Sequence, residues 1–289
     1  MSLRGATQAG HGGEVHASAD QPSDGCSEED DAPDGPASGH QVPTWSELVS
    51  DHYSIQQACY FTEVEHVPGA VYASSQDTDD FIWNHAYLVG PSLPGNIRAA
   101  RAWLAERSRE LTIYVDEAPG SFGDSLADLR VVDRETWMVR LAANYLPPKY
   151  ATFLLCSSAS QRAQFGGLVG VIFRPDYETC LTRDWSQGGD GHCKSAHLLL
   201  HIDGQAVGTG SLYWRDHVLG AIHDVGVLAS HRRQGLGSHI VQALLALAYH
   251  EGITTCYLQC EASMEKFYTE LGFTPQHRRL GLQPMGGVV

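Results

Sequence analysis

The feature that most constrains this chain is a segment of its C-terminal half in which a strand, a glycine-containing turn and a helix follow one another. The segment runs from Val225 to Ser238 and contains the pattern R-x-x-G-x-G at Arg232, Gly235 and Gly237. Amides in the first turn of a helix have no partner inside the helix, and the helix dipole adds about half a positive charge there. Glycines let an anion approach the backbone without a Cβ in the way. The segment therefore predicts a site where backbone amides hold a diphosphate.

The elements around this segment predict the fold class. Two strands meet at Asp203-Gly204, a strong two-residue hairpin signal, and the helix that starts at Gly235 carries a one-sided apolar stripe up to His250. The remaining predictions are strands over Ala196–Ile202, Ala206–Tyr213, Leu219–Val227 and Cys256–Cys260, a helix over Met264–Leu271, and final strands from Gly272-Phe273. Hairpins followed by a βαβ unit predict an α/β (α+β) fold with a mixed, mostly antiparallel twisted sheet flanked by helices.

The first half of the chain is predicted to form a separate unit. Residues 1–41 are rich in Gly, Ser, Asp and Pro and are expected to be a disordered acidic tail. Residues 42–125 are expected to form an N-terminal α+β lobe, and residues 126–289 a second domain. Within these units the predictions are a capping box at Thr44–Glu47, extended Phe81–Trp83 and Ala86–Val89, a helix around Ile97–Leu104, a strand at Leu111–Val115, a helix around Arg134–Tyr145, a strand at Thr152–Leu155 and a loop at Gly188–Gly191.

Composition excludes several classes of function. The formal charge is −15, and residues 1–41 hold eight of the acids against one arginine, so a nucleic-acid partner is not expected. No apolar run approaches the roughly 18 residues that span a bilayer, and no membrane partner or secretory signal is expected. The 7 cysteines lack C-x-x-C spacing and the 15 histidines lack ligand spacing, so neither disulfides nor a metal is expected. The sequence predicts a cytoplasmic protein.

The segment 219–273 resembles the GNAT superfamily of acetyltransferases, and the similarity extends over residues 126–289. The resemblance implies that this domain is catalytic and uses acetyl-coenzyme A as co-substrate. The backbone of Val225, Gly226 and Val227 would pair with the pantetheine arm, and the family's splayed strands would form the acyl slot. The pyrophosphate would be held by the cradle residues Arg232, Arg233, Gln234, Gly235, Leu236, Gly237 and Ser238.

Two side chains are candidates for moving protons. Tyr268, four residues before Gly272-Phe273, matches the GNAT position of the general acid, and a phenol can donate a proton to a leaving thiolate. His223 is the candidate base, because a histidine titrates in the right range. Period-two alternation predicts that His223, Val225 and Val227 share one face and that Asp224 faces the opposite way.

These motifs are most similar to those of arylalkylamine N-acetyltransferases. The shared run comprises Cys260, Glu261, Phe267, Tyr268, Gly272 and Phe273. Those enzymes usually carry a second strand histidine where this chain has Ala221, so the resemblance does not extend to a full histidine relay. Residues 42–125 resemble the degenerate first lobe of two-lobed GNAT proteins, on the basis of Trp83-Asn84 and Gly90-Pro91.

The predicted function is acetyl transfer to the amine of a small molecule. Two alternatives stay open, which are a non-catalytic acyl-coenzyme-A-binding regulator and an enzyme that uses a longer acyl donor. The sequence does not identify the acceptor amine, and whether two copies pair as a homodimer also stays open.

Overall fold

The computed structural model describes residues 42–88, 94–117, 128–179 and 193–285. The helices are α1 (Trp45–Cys59), α2 (Pro94–Glu106), α3 (Ala159–Ile172), α4 (Leu236–His250) and α5 (Glu265–Glu270). The strands are β1 (Glu63–Val67), β2 (Ala70–Ser74), β3 (His85–Leu88), β4 (Ile113–Asp116), β5 (Leu129–Leu141), β6 (Thr152–Leu155), β7 (Lys194–Ile202), β8 (Gln205–Trp214), β9 (Leu219–Val227), β10 (Thr255–Glu261) and β11 (Thr274–Pro284).

All these strands belong to one sheet of 11 strands, in the order β1-β2-β3-β4-β11-β5-β10-β9-β8-β7-β6. Neighbouring strands are antiparallel except for two parallel pairs, β3 with β4 and β9 with β10. Each parallel pair is joined through a helix, α2 in the first case and α4 in the second, as parallel neighbours require. The predicted mixed, mostly antiparallel sheet flanked by helices is confirmed.

The same succession of elements occurs twice along the chain. A helix, three strands in antiparallel order, a crossover helix and a parallel strand appear first as α1 to β4 and again as α3, β7, β8, β9, α4 and β10. Each succession is followed by one more strand, and this strand pairs in the middle of the sheet with a strand of the other succession. β5 lies against β10, and β11 lies against β4. The two halves of the chain are therefore joined by an exchange of strands.

The predicted domain boundaries fall outside the described residues. The boundary at residue 125 lies between Glu117 and Asp128, and residues 1–41 precede the described part of the chain. The glycine-rich stretch 188–191 also lies outside it. The described residues from Pro43 onward belong to a single compact unit, and the sheet is continuous between the two halves.

Helices cover both faces of the sheet. On one face lie α1 and α3, whose side chains join a core that includes Tyr53, Phe165 and Trp137. On the other face α4 and α5 pack in a second core that includes Leu244 and Met138. Helix α2 covers the strands of the first half in a third core. The central strand β5 contributes alternate residues to the first two cores, and this alternation positions the site described below.

Several local predictions are confirmed. Thr44 and Glu47 form a reciprocal capping box at the start of α1, which satisfies backbone amides that the helix itself leaves unpaired. The turn between β7 and β8 has positive φ values of 50° at Asp203 and 80° at Gly204, as a type I′ hairpin requires. Gly252 ends α4 with a φ of 76°, the left-handed conformation typical of a helix C-terminus.

Two local predictions are wrong. The helix expected around residues 134–145 is not formed, because residues 134–141 belong to the long strand β5 and residues 142–145 lie in neither a helix nor a strand. Five successive residues of that strand, 135–139, are buried, because it pairs on both sides with β10 and β11 and is covered on both faces. A doubly covered strand loses the alternation that distinguishes strand from helix. The extended segment expected at Phe81–Trp83 is a 3₁₀ turn, capped by the Asp80 side chain at the amide of Ile82.

Candidate active site

An opening between β9 and β10 lies at the centre of the candidate site. The two strands pair only where Leu219–Ala221 meet Thr255–Tyr257. Beyond that point β9 continues to Val227 and β10 to Glu261 without pairing to each other. The other edge of each strand stays paired, β9 with β8 and β10 with β5. The splay leaves the edge of β9 that faces β10 free to pair with an extended ligand, as the GNAT resemblance implies.

A β-bulge in β9 decides which side chains face which side of the sheet. Opposite β8 the register jumps from the pair Thr209–Gly226 to the pair Ser211–His223. Asp224 lies within this register shift and has a φ of 54°. The bulge inserts one residue and shifts the alternation of side chains beyond it.

The bulge overturns the prediction that His223, Val225 and Val227 share a face. Val225 and Val227 pack against the core of α4, whereas His223 contacts Gln56 of α1 on the opposite face. Asp224 lies on the same face as His223, because its carboxylate accepts hydrogen bonds from Tyr60 at the end of α1 and from Ser211. Period-two reasoning assumes an uninterrupted strand, and the extra residue cancels one alternation.

The predicted cradle residues form the loop and the first helical turn that follow β9. Gly235 is the N-cap of α4 with a φ of 76°, and no side chain caps the helix there. Arg233 also has a positive φ, 63°. A Cβ built on Gly235 would meet no atom within 4 Å, so the space beside it is open and glycine is needed for its conformation. The first-turn amides of α4 have no capping side chain and no intrahelical partner. These features fit a diphosphate.

Three side chains of the cradle are exposed, and one of them contacts the strand. Arg232, Arg233 and Gln234 are exposed, and Nε of Arg232 donates to the carbonyl of Val227 over 3.0 Å. Gly237 lies 3.5 Å from the ring of Phe267, measured from a Cβ built on it. The helix terminus is thus bordered by α5, which carries the candidate acid.

Tyr268 lies on the α4 face of the sheet. It is only 8% exposed and packs in T-shaped geometry against Phe267 and Phe273, with ring centroids 4.9 and 5.8 Å away. Burial raises the pKa of the Tyr268 phenol, and the neighbouring Cys260 raises it further. The phenol is therefore protonated at neutral pH, as a proton donor must be.

The two cysteines of β10 are poor nucleophiles. Cys256 and Cys260 are both buried in the core of α4. Burial raises the pKa of each thiol to about 12. The thiolate, which is the reactive form, is therefore scarce at neutral pH.

His223 lies on the opposite face, under α1. Burial lowers the pKa of its imidazole, while the adjacent Asp224 acts in the opposite direction. A neutral imidazole at neutral pH can accept a proton. The structure thus places the candidate base and the candidate acid on opposite faces of the sheet.

Sequence reasoning did not identify the residues that the first half of the chain brings to this site. Gln56 and Tyr60 contact His223 and Asp224, and His52 of the same helix contacts Gln259 of β10. Each of these pairs joins residues more than 160 positions apart. The only available signal was a histidine and a glutamine, four positions apart, on the buried face of a helix.

The described parts of the chain contain neither a group of metal ligands nor a membrane-spanning helix. Within residues 42–88, 94–117, 128–179 and 193–285, no three or more His, Cys, Asp or Glu side chains are grouped as metal ligands. None of the helices in those ranges combines the length and apolar character that crossing a membrane would require.

Comparison with known proteins places this geometry in a family context. Residues 162–273 match the family model described as "Acetyltransferase (GNAT) family". A GCN5-related N-acetyltransferase from Kribbella flavida has a similar fold, with a TM-score of 0.63 and 20% identity over 86% of this chain and 98% of its own.

Two further structures share the fold. One is a GCN5-related N-acetyltransferase from Sphaerobacter thermophilus, with a TM-score of 0.55 and 18% identity over 76% of this chain and 82% of its own. The other is a tandem GNAT protein from the clavulanic acid biosynthesis pathway, with a TM-score of 0.54 and 15% identity over 76% of this chain and 79% of its own. The chain therefore has the fold of these proteins, and its residues 162–273 match the acetyltransferase (GNAT) family model.

Proposed function

We propose that this protein transfers the acetyl group of acetyl-coenzyme A directly to the amine of a small molecule. The family match and the shared fold support acyl-coenzyme-A-dependent N-acetyltransferase activity in general. The observation that carries the finer proposal is the opening between β9 and β10, with Tyr268 on one face and His223 on the other. An acyl group held in such an opening is reached by an acid and a base from opposite sides.

The residues around the opening would bind the co-substrate. The amides from Arg233 to Ser238 would hold the pyrophosphate, and the free edge of β9 at Val225–Val227 would pair with the amides of the pantetheine arm. When bound, acetyl-coenzyme A supplies an activated thioester. The backbone of β9 and the cradle fix the direction from which that thioester enters the opening.

His223 then removes the proton that the attacking amine must lose. The new carbon–nitrogen bond forms as the carbon–sulfur bond breaks, and Tyr268 donates a proton or a hydrogen bond to the departing sulfur. Asp224 is a second candidate for the base, because the bulge turns its carboxylate to the same face as His223. A residue in the left-handed region at this position stores strain, which is common at functional sites.

The first half of the chain is proposed to be a GNAT-like lobe that does not bind coenzyme A. The repeated order of elements and the exchanged strands β5 and β11 support this origin. Helix α2, which corresponds to α4 in that order, begins at Pro94, and no R-x-x-G-x-G pattern precedes it. The lobe therefore lacks the cradle but keeps the scaffold that carries α1 to the active site.

The acceptor class and the surroundings of the protein are also proposals. The run from Cys260 to Phe273 is similar to arylalkylamine N-acetyltransferases, which favours an amine on an alkyl chain as the acceptor. A cytoplasmic location and the absence of a nucleic-acid or membrane partner are predictions from composition alone. A homodimeric state is an alternative that composition leaves open.

A two-part experiment tests the proposed function. Calorimetry with coenzyme A and with acetyl-coenzyme A should detect binding, and a panel of amines, amino acids and polyamines should include one that releases free thiol. Absence of heat with both ligands would contradict the assignment. Binding without turnover on any amine would instead favour the acyl-coenzyme-A-binding regulator, and turnover only with a longer acyl thioester would change the donor.

A further inference from the structure

A glutamine from the first half of the chain contacts the candidate base of the second half. Nε2 of Gln56 lies 2.7 Å from Nε2 and 3.4 Å from Nδ1 of His223. Gln56 is fully buried in α1. Its other amide atom, Oε1, has no hydrogen-bond partner among the described residues. A buried amide oxygen without a partner costs about 1 to 3 kcal/mol, so its retention calls for an explanation.

A second histidine–glutamine pair, His52 and Gln259, lies beside the first. His52 is one helical turn before Gln56, and its Nδ1 lies 3.0 Å from Nε2 of Gln259 on β10. The rings of His52 and His223 are 6.2 Å apart. One face of α1 therefore contacts both strands that border the opening, and it fixes their positions on the side opposite to α4.

The chemistry of the two groups explains the unpaired oxygen. When His223 is neutral, the amide of Gln56 donates to the lone pair of Nε2, which leaves the ring proton on Nδ1. When His223 takes up a proton, that proton must bind Nε2, because Nδ1 already carries one, so the amide of Gln56 first releases the Nε2 lone pair. Both ring nitrogens are then donors, and Gln56 must offer an acceptor instead. A half-turn of the amide about its terminal bond brings Oε1 to the ring. The atom that has no partner in the resting site is thus the one that the charged imidazole needs.

We propose that Gln56 is a positioning residue for His223, which holds the neutral ring through its amide hydrogen and the protonated ring through Oε1. The inference rests on the proposed function, because it gives the first lobe a part in the proton transfer of the second. It makes α1 a component of the active site rather than only part of the scaffold.

Other polar groups face His223 without taking the place of Gln56. On α1 these are His52 and, through Asp224, the hydroxyl of Tyr60. On β8 the ring of Tyr213 lies 5.7 Å away. On β9 itself Asp224 favours the charged imidazole, but burial outweighs it and lowers the pKa of His223. Of these groups, His52 and Tyr213 bring no negative charge, so a carboxylate at position 56 would add a strong new influence.

Two substitutions of Gln56 test the proposal because they should act in opposite directions. Gln56→Glu places a carboxylate beside the ring, favours the imidazolium and should move the acidic limb of kcat/KM up by about one pH unit. Gln56→Met removes the hydrogen bond to both forms of the ring, and the imidazolium loses more because a hydrogen bond to a charged group is stronger. That limb should therefore move down, with turnover reduced about tenfold and acetyl-coenzyme A affinity unchanged. A purely structural role would reduce activity in both variants without opposite shifts.

A matched control lies on the same helix. Tyr53→Phe removes two buried hydrogen bonds of its hydroxyl, one of 2.7 Å with another histidine, His85, and one of 3.4 Å donated by Arg279, and neither involves His223. It should lower stability and leave the pH profile in place. If Tyr53→Phe shifted the profile as much as Gln56→Glu does, the proposal would be overturned.

Nitrogen-15 NMR of the histidine side chains tests the pair independently of turnover. The signal of His223, assigned by its loss in His223→Asn, should show the Nδ1–H tautomer in the parent, and its pKa should rise in Gln56→Glu. An Nε2–H tautomer, or an unchanged pKa in the folded Gln56→Glu protein, would overturn the role of Gln56. A shift in the NMR titration without acetyl transfer to any amine would support the pair and contradict the proposed function instead.

Discussion

The hydroxyl of Tyr60 donates a hydrogen bond to Oδ1 of Asp224 over 2.6 Å, and it thereby joins the end of α1 to the bulge in β9. Tyr60→Phe should leave the half-buried carboxylate with one fewer donor. We expect the free energy of unfolding to fall by about 1.5 to 3 kcal/mol, as for hydrogen bonds to charged groups. Urea denaturation measures the change, and acetyl transfer should weaken with it.

A second tyrosine provides the control for this substitution. Tyr72 is buried in the core of α2 and stacks at a tilt on Trp103, and no hydrogen bond of its hydroxyl is found among the described residues. Tyr72→Phe should change stability by less than about 0.5 kcal/mol. Equal losses in the two variants would mean that the hydroxyl of Tyr60 stabilises nothing specific at the bulge.

The cradle can be tested with two glycines of similar φ. Gly235 has a φ of 76° and Gly204 a φ of 80°, and a Cβ built on either meets no atom within 4 Å. Alanine at each position should cost about 1 to 2 kcal/mol of stability because of the left-handed backbone. Only Gly235→Ala should also weaken coenzyme A binding, measured by calorimetry, because only it alters the amides at the start of α4. Weakened binding in Gly204→Ala as well would point to a general loss of folded protein.

The acid role of Tyr268 predicts a loss of turnover without a loss of binding. Tyr268→Phe should lower kcat about a hundredfold, the lower range of general acid catalysis, and leave the affinity for acetyl-coenzyme A unchanged. Tyr249→Phe on the exposed side of α4 serves as the control, since that residue is 54% exposed. A Tyr268→Phe variant with parental turnover would exclude the phenol as the proton donor.

Asp51 predicts a pH dependence of stability. Burial raises the pKa of its carboxyl group to about 6, although the hydroxyl of Tyr257 donates to it over 2.9 Å. A folded-state pKa above the unfolded value means that the folded state binds the proton more tightly. The ionised carboxylate of Asp51 therefore lowers the free energy of unfolding above pH 6, and this loss disappears as the pH falls towards 4.

Asp51→Asn should consequently stabilise the protein at pH 8 by about 1 to 3 kcal/mol and have little effect at pH 4. Thermal unfolding at both pH values measures the difference. Asp128→Asn is the control, because that carboxylate is 71% exposed and should show no such dependence. A stabilisation of Asp51→Asn that is equal at both pH values would contradict the shift.

The exchanged strands at the centre of the sheet are joined by a buried ion pair. Nε of Arg279 on β11 donates to Oε2 of Glu135 on β5 over 2.6 Å, and the guanidinium lies 4.4 Å from the ring centroid of Tyr114. Arg279→Met should lower the free energy of unfolding by about 3 to 5 kcal/mol, because it leaves the buried carboxylate of Glu135 without its cationic partner. Adding Glu135→Leu should recover most of the loss. If the double variant were no more stable than Arg279→Met, the carboxylate would not be the source of the cost.

The elements that the sequence predicted well are those with a local physical cause. The turn at Asp203-Gly204 follows from residues that tolerate positive φ, and the helix after Gly235 follows from its apolar stripe and open first turn. The candidate cradle is part of the same local segment, which is why it could be located without knowledge of the tertiary structure.

The elements that the sequence predicted wrongly depend on contacts with residues far away along the chain. The segment around Trp137 is a strand because β10 and β11 pair on both sides of it, and its continuous burial hides the alternation of a strand. The side of the sheet that Asp224 faces depends on one inserted residue opposite Gly210, and period-two counting has no means of detecting that insertion.

The sequence by itself thus determined a glycine-containing strand, turn and helix with open amides, because backbone conformation and helix termini are properties of neighbouring residues. Only the tertiary structure decided that Gln56 and Tyr60 reach His223 and Asp224. Those contacts form where α1 packs across strands more than 160 positions away, and packing between distant segments is set by the whole sheet rather than by any local pattern.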